Sequence, residues 1–427
     1  MSENTGKKQT LFLGCVADDF TGASDAASFL VNEGLPVLLY NGIPKNAEGL
    51  ENCAAAVIAL KSRSAPVSEA VKDSREAFRF LVENGAKQLY SKYCSTFDST
   101  STGNIGPVTD AMLDELNLPY TLLCPSLPVN KRQVRDGHLY VEGVPLNESP
   151  MKNHPLNPMW DSFIPTLMKD QGKYPSLVLN AGMLNDPAGA ALREVKLFGE
   201  RHPRFYVVPD YENDEQGRRI VEIFGSLRFL TGGSGLLGPL ANRCRREYGA
   251  PREFSVESKT SGPGILLSGS CSKATREQIQ TYRKAGGPAL AVSPDRLLDG
   301  TQTVDEIWSF AQEHDNPLIY SAGAEPDGKR EPEADSEKAS RILEKTMSQI
   351  GRRAFERGYT RIVVAGGETS GAVMLALGFD AFLIGQSIAP GVPVMVPVQR
   401  RDVRLALKSG NFGQPDFFAR ALEMTGR

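Results

Sequence analysis

The sequence predicts a two-domain α/β protein in which each domain holds a mostly parallel β-sheet flanked by helices. Short apolar runs that suit buried strands alternate along the chain with amphipathic stretches, as in repeated βαβ units. A length of 427 residues exceeds one ordinary core, which favours two domains. The polar, Gly- and Pro-containing stretch 249–264 predicts a linker between domains 1–248 and 265–427, with the ligand cleft between them.

Individual elements follow from the same alternation. The strands predicted in the N-terminal domain are 10–17, 54–60, 88–93, 120–124, 176–180, 205–208 and 227–231, with helices at 23–33, 67–84 and 108–116. The C-terminal strands are 265–268, 289–292, 318–320, 361–365, 381–384, 394–396 and 405–409, with helices at 273–285, 304–314, 336–356 and 370–377. Residues 324–339 are charged and contain Pro, which predicts a solvated loop that leads into a helix.

Composition excludes several classes of function. The formal net charge is −3, which argues against nucleic-acid and anionic-membrane partners because these call for a basic face. We expect a cytoplasmic protein, because no apolar run reaches the length of a membrane span and no signal peptide is evident. The six cysteines form no C-x-x-C pair and the four histidines are scattered, so we expect buried thiols and no resident metal.

A glycine-rich segment, GGETSG at 366–371, lies between an apolar strand and a helical pattern. Such a turn offers backbone N–H groups and a positive helix N-terminus to an anion. It matches neither G-x-x-x-x-G-K-[ST] nor G-x-G-x-x-G, and alone it could be an ordinary strand-to-helix turn. Two further small-residue turns, 268–272 and 408–413, follow strands of the same domain, so together they favour nucleotide phosphates. Within the first of these, we expect Cys271 to be a packed thiol rather than a nucleophile.

Two adjacent carboxylates, Asp18 and Asp19, follow the first strand of the chain. One could bind substrate hydroxyls, and the other could hold Mg²⁺ or accept a hydroxyl proton. The alternative is that Asp19 or Thr21 caps the following helix, which accounts for one acidic residue but not for the pair.

Further polar residues follow later strands of the N-terminal half. They are Lys92, Ser95, Asp98, Asn104, Arg132 and His154. Lysine and arginine could neutralise a substrate carboxylate, and the hydroxyl, amide and imidazole groups could bind substrate hydroxyls. Ordinary turn chemistry, an exposed loop arginine and a structural histidine are the alternatives. Beside a phosphate-binding half, this set suits phosphoryl transfer to a small hydroxy acid.

Motifs along nearly the whole chain are similar to those of the four-carbon acid sugar kinases. They are ADDFTGASDAA (17–27), KYCSTFDST (92–100), GNIGPV (103–108), GHLYV (137–141), TGGSG (231–235), SGSCS (268–272), AGGETSGAV (365–373), GVPV (391–394) and LKSGNFG (407–413). The resemblance implies ATP, with Mg²⁺ arriving on the nucleotide, as the phosphoryl donor to O4 of a tetronate-type acid. It assigns ATP contacts to Ser268, Gly366, Gly367, Glu368, Thr369 and Gly410, and acid contacts to Asp18, Asp19, Lys92, Asp98 and Asn104. The segment 147–159 is most similar to the members of that family that act on 3-oxo-tetronate.

The leading hypothesis is therefore an ATP-dependent kinase of 3-oxo-tetronate, in which Asp19 or Asp18 orients or deprotonates the acceptor hydroxyl. Lys92 and Arg132 would hold the substrate carboxylate, and the three turns would hold the triphosphate. A threonate or erythronate kinase is the alternative within the class. A non-catalytic sugar-acid sensor and an isomerase of phosphorylated sugar acids are the alternatives outside it. The sequence leaves the oligomeric state open, with a homo-oligomer among the options.

Overall fold

The computed structural model describes residues 11–153, 157–248, 256–324 and 333–427. The chain divides into two compact units, Met1–Phe254 and Ser255–Arg427. Thr260 belongs to the second unit, where it forms a bridge with Gly426. The linker that we place at 249–264 stays a prediction, and its first part, 249–255, lies outside the described residues.

The first unit is built on a parallel sheet. Its strands and those of a small second sheet are β1 (Leu13–Ala17), β2 (Val37–Asn41), β3 (Ala55–Ala59), β4 (Gln88–Lys92), β5 (Tyr120–Cys124), β6 (Arg132–Arg135), β7 (His138–Val141), β8 (Val144–Pro145), β9 (Ser176–Leu179), β10 (Phe205–Pro209) and β11 (Phe229–Gly232). The helices are α1 (Phe20–Asn32), α2 (Val67–Glu83), α3 (Ile105–Glu115), α4 (Ile164–Lys169), α5 (Ala181–Asn185), α6 (Ala190–Arg201), α7 (Asp214–Phe224) and α8 (Leu237–Tyr248). The main sheet runs in the order β2-β3-β1-β4-β11-β5-β10-β9.

Strands β1 and β3 are buried along their whole length, because helices cover both faces of a parallel sheet. In register, Ala17 at the end of β1 pairs with Ala59 of β3 and with Lys92 of β4. Parallel pairing therefore brings the segments that follow β1, β3 and β4 to one edge. The sequence predicted β1, β3 and β4 but not β2, and it did not predict the antiparallel sheet of β6, β7 and β8.

The second unit holds another mostly parallel sheet. Its strands are β12 (Gly264–Ser268), β13 (Ala289–Val292), β14 (Leu318–Ser321), β15 (Arg361–Ala365), β16 (Ala381–Ala389), β17 (Val392–Pro397) and β18 (Arg404–Lys408). Its helices are α9 (Lys273–Lys284), α10 (Pro294–Leu298), α11 (Val304–Glu313), α12 (Glu333–Glu356), α13 (Gly367–Leu377) and α14 (Phe417–Thr425). The strand order is β13-β14-β12-β15-β18-β17-β16. Only β17 pairs antiparallel, with β16 and β18. The prediction of two α/β domains with mostly parallel sheets is confirmed.

One boundary in this unit differs from the prediction and bears on function. Helix α13 begins at Gly367, not at residue 370, so GGETSG contributes its first turn instead of preceding it. Gly366 makes this sharp entry because its φ of 118° lies in a region that residues with a side chain rarely adopt. The N–H groups of the first helical turn have no partner within the helix, so they can bind an anion.

Candidate functional site

A pocket in the first unit lies at the edge where β1, β3 and β4 end. Its lining consists of Val16, Ala17, Asp18, Ser62, Arg63, Ser74, Ser91, Lys92, Tyr93, Asp98, Ser99, Asn104, Ile105 and Val108. Four predicted residues, Asp18, Lys92, Asp98 and Asn104, are therefore brought together. Asp19 does not line the pocket, but it forms an ion pair with Arg63, which does. Ser95 and Arg132 are also outside the lining.

Arg63 connects the two adjacent carboxylates. Its Nε and Nη2 atoms each donate to the Asp18 carboxylate at 2.9 Å, and its Nη1 lies 2.9 Å from Asp19 Oδ2. Burial alone would lower the pKa of Arg63, but the charges of Asp18 and Asp19 outweigh burial and raise it. The guanidinium therefore stays protonated and neutralises much of the charge of the pair.

The sequence analysis missed Arg63, although a signal for it was present. The residue follows β3, which pairs directly with β1, so the strand-end rule that selected Asp18 also applies to it. Its surroundings, KSRS at 61–64, resemble an ordinary polar loop.

Asp19 has a second task at the start of α1. Its Oδ1 accepts from the Gly22 N–H at 2.6 Å, which caps the helix, so the capping interpretation is confirmed for this residue. One oxygen of Asp19 is thus used by the helix and the other by Arg63. Asp18 does not cap this helix, and it lines the pocket. It is therefore the carboxylate of the pair that is positioned to contact a ligand.

Lys92 ends β4 and is only 4% exposed. Its Nζ forms no hydrogen bond or ion pair with the residues that the structure describes, although Lys92 is part of the pocket lining. A Cβ added to Gly22 would lie 2.6 Å from this Nζ, so the glycine leaves the space that the ammonium uses. Since a buried charge is costly without a counter-ion, Lys92 is suited to an anionic group of a ligand.

Asp25, on α1, is a further ionisable residue close to Lys92. Burial raises the pKa of its carboxyl, whereas the charge of Lys92 and the hydrogen bond from Ser234 lower it. Ser234 belongs to the TGGSG motif, which begins in the last two residues of β11. The sequence analysis did not select Asp25 as a site residue.

Asn104 links the pocket to the loop that carries Arg63. Its Nδ2 donates to the carbonyl oxygens of Ser62 at 2.6 Å and Ala65 at 2.8 Å. Its Oδ1 is buried and has no partner among the described residues, which leaves an acceptor for a ligand hydroxyl. Asp98 also lines the pocket, and its Oδ1 accepts from Asn157 Nδ2 at 2.7 Å.

Two other predicted residues do not contribute to this pocket as described. Arg132 begins β6, and its Nη1 donates to the Asn130 carbonyl of the same loop. Its assignment as a substrate contact stays a prediction without support from the pocket lining. His154 lies outside the described residues.

The second unit brings its three turns to one edge of its sheet. Strands β12, β15 and β18 are parallel neighbours, with Ser268, Ala365 and Lys408 in register at their ends. Gly269 N–H donates to Ala365 O at 3.0 Å, and Gly366 N–H donates to Lys408 O at 2.9 Å. The three turns are therefore joined through the backbone.

Side-chain hydrogen bonds also connect the first turn, 268–272, and the following helix α9 to the third turn, 408–413. Ser272 Oγ donates to the Gly410 carbonyl at 2.6 Å, and Thr275 Oγ1 donates to it at 2.8 Å. A Cβ at Gly269 would lie 2.0 Å from Thr369 Oγ1, so the first two turns approach closely only because residue 269 is glycine. Three turns held this way bring their backbone N–H groups to one edge of the sheet, and clustered backbone N–H groups favour phosphate.

Ser268 and Ser370 carry hydroxyls that are buried and unpartnered among the described residues. Glu368, by contrast, is exposed, so a phosphate contact from this position would use its backbone N–H. Cys271 corrects the prediction of a packed thiol, since it is exposed at the tip of the first turn. The free cysteines at positions 15, 53, 124 and 244 are buried, as expected.

No helix among the described residues is long and apolar enough to cross a membrane. The described part of the chain also holds no cluster of three His, Cys, Asp or Glu residues that could bind a metal ion.

Comparisons with known proteins agree with the two units. A family model described as a sugar-binding N-terminal domain matches residues 13–240, and one described as a nucleotide-binding C-terminal domain matches residues 265–418. Crystal structures of proteins from Salmonella typhimurium LT2 and Haemophilus influenzae superpose with TM-scores of 0.87 and 0.78, at 39% and 38% identity. Each match covers 96% of this chain and 99% of the other.

Curated relatives carry one name. The protein named 3-oxo-tetronate kinase in Brucella melitensis is 40% identical over 97% of this chain and 96% of its own length. The one in Haemophilus influenzae is 40% identical over 96% of this chain and 99% of its own length. Both family models and these full-length matches show that the chain belongs to the four-carbon acid sugar kinase family, in which these two relatives are named 3-oxo-tetronate kinases.

Proposed function

We propose that this protein transfers the γ-phosphoryl group of ATP to the terminal O4 hydroxyl of a four-carbon acid sugar, with 3-oxo-tetronate as the preferred acceptor. The observation that carries the choice of acceptor is Lys92, a buried lysine that lines the pocket and forms no ion pair with the described residues. A carboxylate of the ligand would supply a counter-ion for the Lys92 ammonium. The full-length similarity to 3-oxo-tetronate kinases supports the choice within the class.

In this proposal, different pocket residues bind the carboxylate and the hydroxyl groups of the acid. Lys92 binds the substrate carboxylate, and the unpartnered Asn104 Oδ1 accepts a hydrogen bond from a hydroxyl. Asp18 accepts a hydrogen bond from the reacting hydroxyl, and Arg63 fixes the direction of that carboxylate. We assign the hydroxyl to Asp18 rather than Asp19, because Asp18 lines the pocket whereas Asp19 is outside its lining and caps α1.

The reaction forms a bond from O4 to the γ-phosphorus and breaks the bond from that phosphorus to the bridging β–γ oxygen. The hydroxyl proton passes to the Asp18 carboxylate and then to solvent, and ADP carries away the electron pair of the broken bond. Phosphoryl transfer depends chiefly on positioning and charge neutralisation. The turns at Ser268, Gly366–Thr369 and Gly410 would hold the phosphates of MgATP, with the magnesium ion entering as part of that substrate.

The test is an ADP-release assay of the purified protein with MgATP and three acids: 3-oxo-tetronate, threonate and erythronate. Phosphorus NMR identifies the product as a phosphate monoester. We expect turnover with the 3-oxo acid, and strong loss of turnover in Lys92→Met but not in the surface control Lys169→Met. A preference for threonate or erythronate would move the protein to the alternative within the class. Absence of acid-dependent ADP with every acid would favour a sensor. Interconversion of phosphorylated acids without ATP would favour an isomerase.

A further inference from the structure

Lys408 is a buried lysine that the proposed reaction does not use. It ends β18 and is 0% exposed, beneath the turn that contains Gly410. Its Nζ donates to Thr275 Oγ1 on α9 at 2.9 Å, and it lies 5.6 Å from the centre of the Phe417 ring on α14. The ammonium is thus enclosed by two helices and its own turn.

No carboxylate among the described residues forms an ion pair with this ammonium. The remaining partners of Nζ are the carbonyl oxygens of Ser409 at 3.2 Å and Gly410 at 3.0 Å. The ionisable side chains of α9 are Lys273, Arg276, Glu277, Tyr282, Arg283 and Lys284, those of α13 and α14 are Glu368, Arg420 and Glu423, and Asp416 precedes α14. Among the described residues none of them forms an ion pair with Lys408. Burial lowers the pKa of Lys408 to about 7.

The Gly410 carbonyl accepts three hydrogen bonds, from Lys408, Ser272 and Thr275. This carbonyl is therefore held toward the interior. The N–H groups of Gly410 and Asn411 donate no hydrogen bond within the described part of the chain. They remain available to an anion at the same edge of the sheet.

We propose that Lys408 is a positioning residue for the nucleotide phosphates: its ammonium holds the Gly410 turn, and an anion bound at that turn draws a proton onto it. This inference rests on the proposed function, since it takes the three turns to be the phosphate site. A bound anion favours the protonated lysine, so binding and protonation strengthen each other. Nucleotide affinity then falls as pH rises above neutrality, by up to about tenfold per pH unit.

The test is calorimetry of MgADP binding between pH 6.5 and 8.5, in pairs of buffers with different ionisation enthalpies. The heat difference between buffers gives the number of protons taken up. We expect the wild type to take up a substantial fraction of a proton near pH 7.5. Lys408→Met should bind about tenfold more weakly at pH 6.5 and lose that uptake. Lys408→Arg, which stays charged, should bind without the pH dependence.

Thr275→Val is the matched control. It removes one donor to the Gly410 carbonyl and one acceptor of the Lys408 ammonium but keeps the lysine itself, so binding should weaken while proton uptake persists. Binding by the wild type without proton uptake overturns the inference, and this outcome needs no variant to fold. Uptake that is unchanged in Lys408→Arg also overturns it. Failure of the wild type to bind MgADP at any pH would instead overturn the proposed function.

Discussion

Arg63 binds Asp18 through two hydrogen bonds, each 2.9 Å long, from its Nε and Nη2 atoms to the two carboxylate oxygens. Such a bidentate pair fixes direction as well as charge. Because the third guanidinium nitrogen lies 2.9 Å from Asp19 Oδ2, one side chain orders both acidic residues. The position of the carboxylate in the pocket therefore depends on a residue that follows a different strand.

Replacing Arg63 tests this dependence. Arg63→Lys keeps the charge but cannot form the fork, so we expect kcat/KM for the acid to fall at least about tenfold, with a larger fall in Arg63→Met. Steady-state kinetics with the acid varied at saturating MgATP provide the measurement. Arg75→Met, which removes an exposed ion pair with Glu115, is the control and should match the wild type. Equal kinetics in Arg63→Met and the control would contradict the assignment.

The two neighbouring carboxylates should respond differently to amide substitution. Asp18→Asn should lower kcat by about 10²–10⁴, the range typical of a group that accepts the reacting proton. Asp19→Asn should have a much smaller effect, because Asn also caps helices well. The comparison is of kcat under identical conditions, with circular dichroism to check the fold. The reverse order of effects would assign the reacting hydroxyl to Asp19.

Cys271 offers a chemical report on the phosphate turns. It is exposed, whereas Cys94 is half-buried and the other free cysteines are buried, so we expect a thiol reagent to modify Cys271 first. MgATP should slow this modification, since the residue lies between Ser270 and Ser272 of the first turn. Mass spectrometry after timed labelling measures the rate, and Cys271→Ser identifies the signal. Labelling at the same rate with saturating MgATP would argue against nucleotide binding at this turn.

Lys408 should leave a signature in the pH dependence of stability. Its pKa is about 7 in the folded protein, compared with the ordinary 10.5. Between these values the unfolded chain binds a proton that the folded chain does not, so stability rises with pH through this window. We therefore expect the melting temperature of the wild type, relative to Lys408→Met, to increase from pH 7 to pH 9. A relative melting temperature that is constant over this range would contradict the shift.

Local patterns were sufficient to predict much of the fold and part of the site. The run Tyr120–Cys124 is apolar and bounded by turn residues, and its strand has the predicted limits. Asp18 and Lys92 were selected because each ends a strand, and the parallel pairing of β1 with β4 brings them together. These features depend on short-range sequence, so they can be predicted without a structure.

Other features depend on contacts between distant segments. Arg63 gains its role only because β3 pairs with β1, and its own surroundings resemble an ordinary loop. In the sequence Lys408 resembles a polar turn residue, but in the structure it is fully buried and contacts α9 and α14. A local pattern does not reveal which neighbour covers a side chain.

The fit of Gly269 against Thr369 has a consequence for redesign. Any side chain at position 269 would collide with the Thr369 hydroxyl, and Gly410 is similarly close to Ser270. A library that varies one turn at a time would therefore sample mostly damaged proteins. Altering the donor preference of this enzyme calls for exchanging all three turns together, as a single transplanted unit.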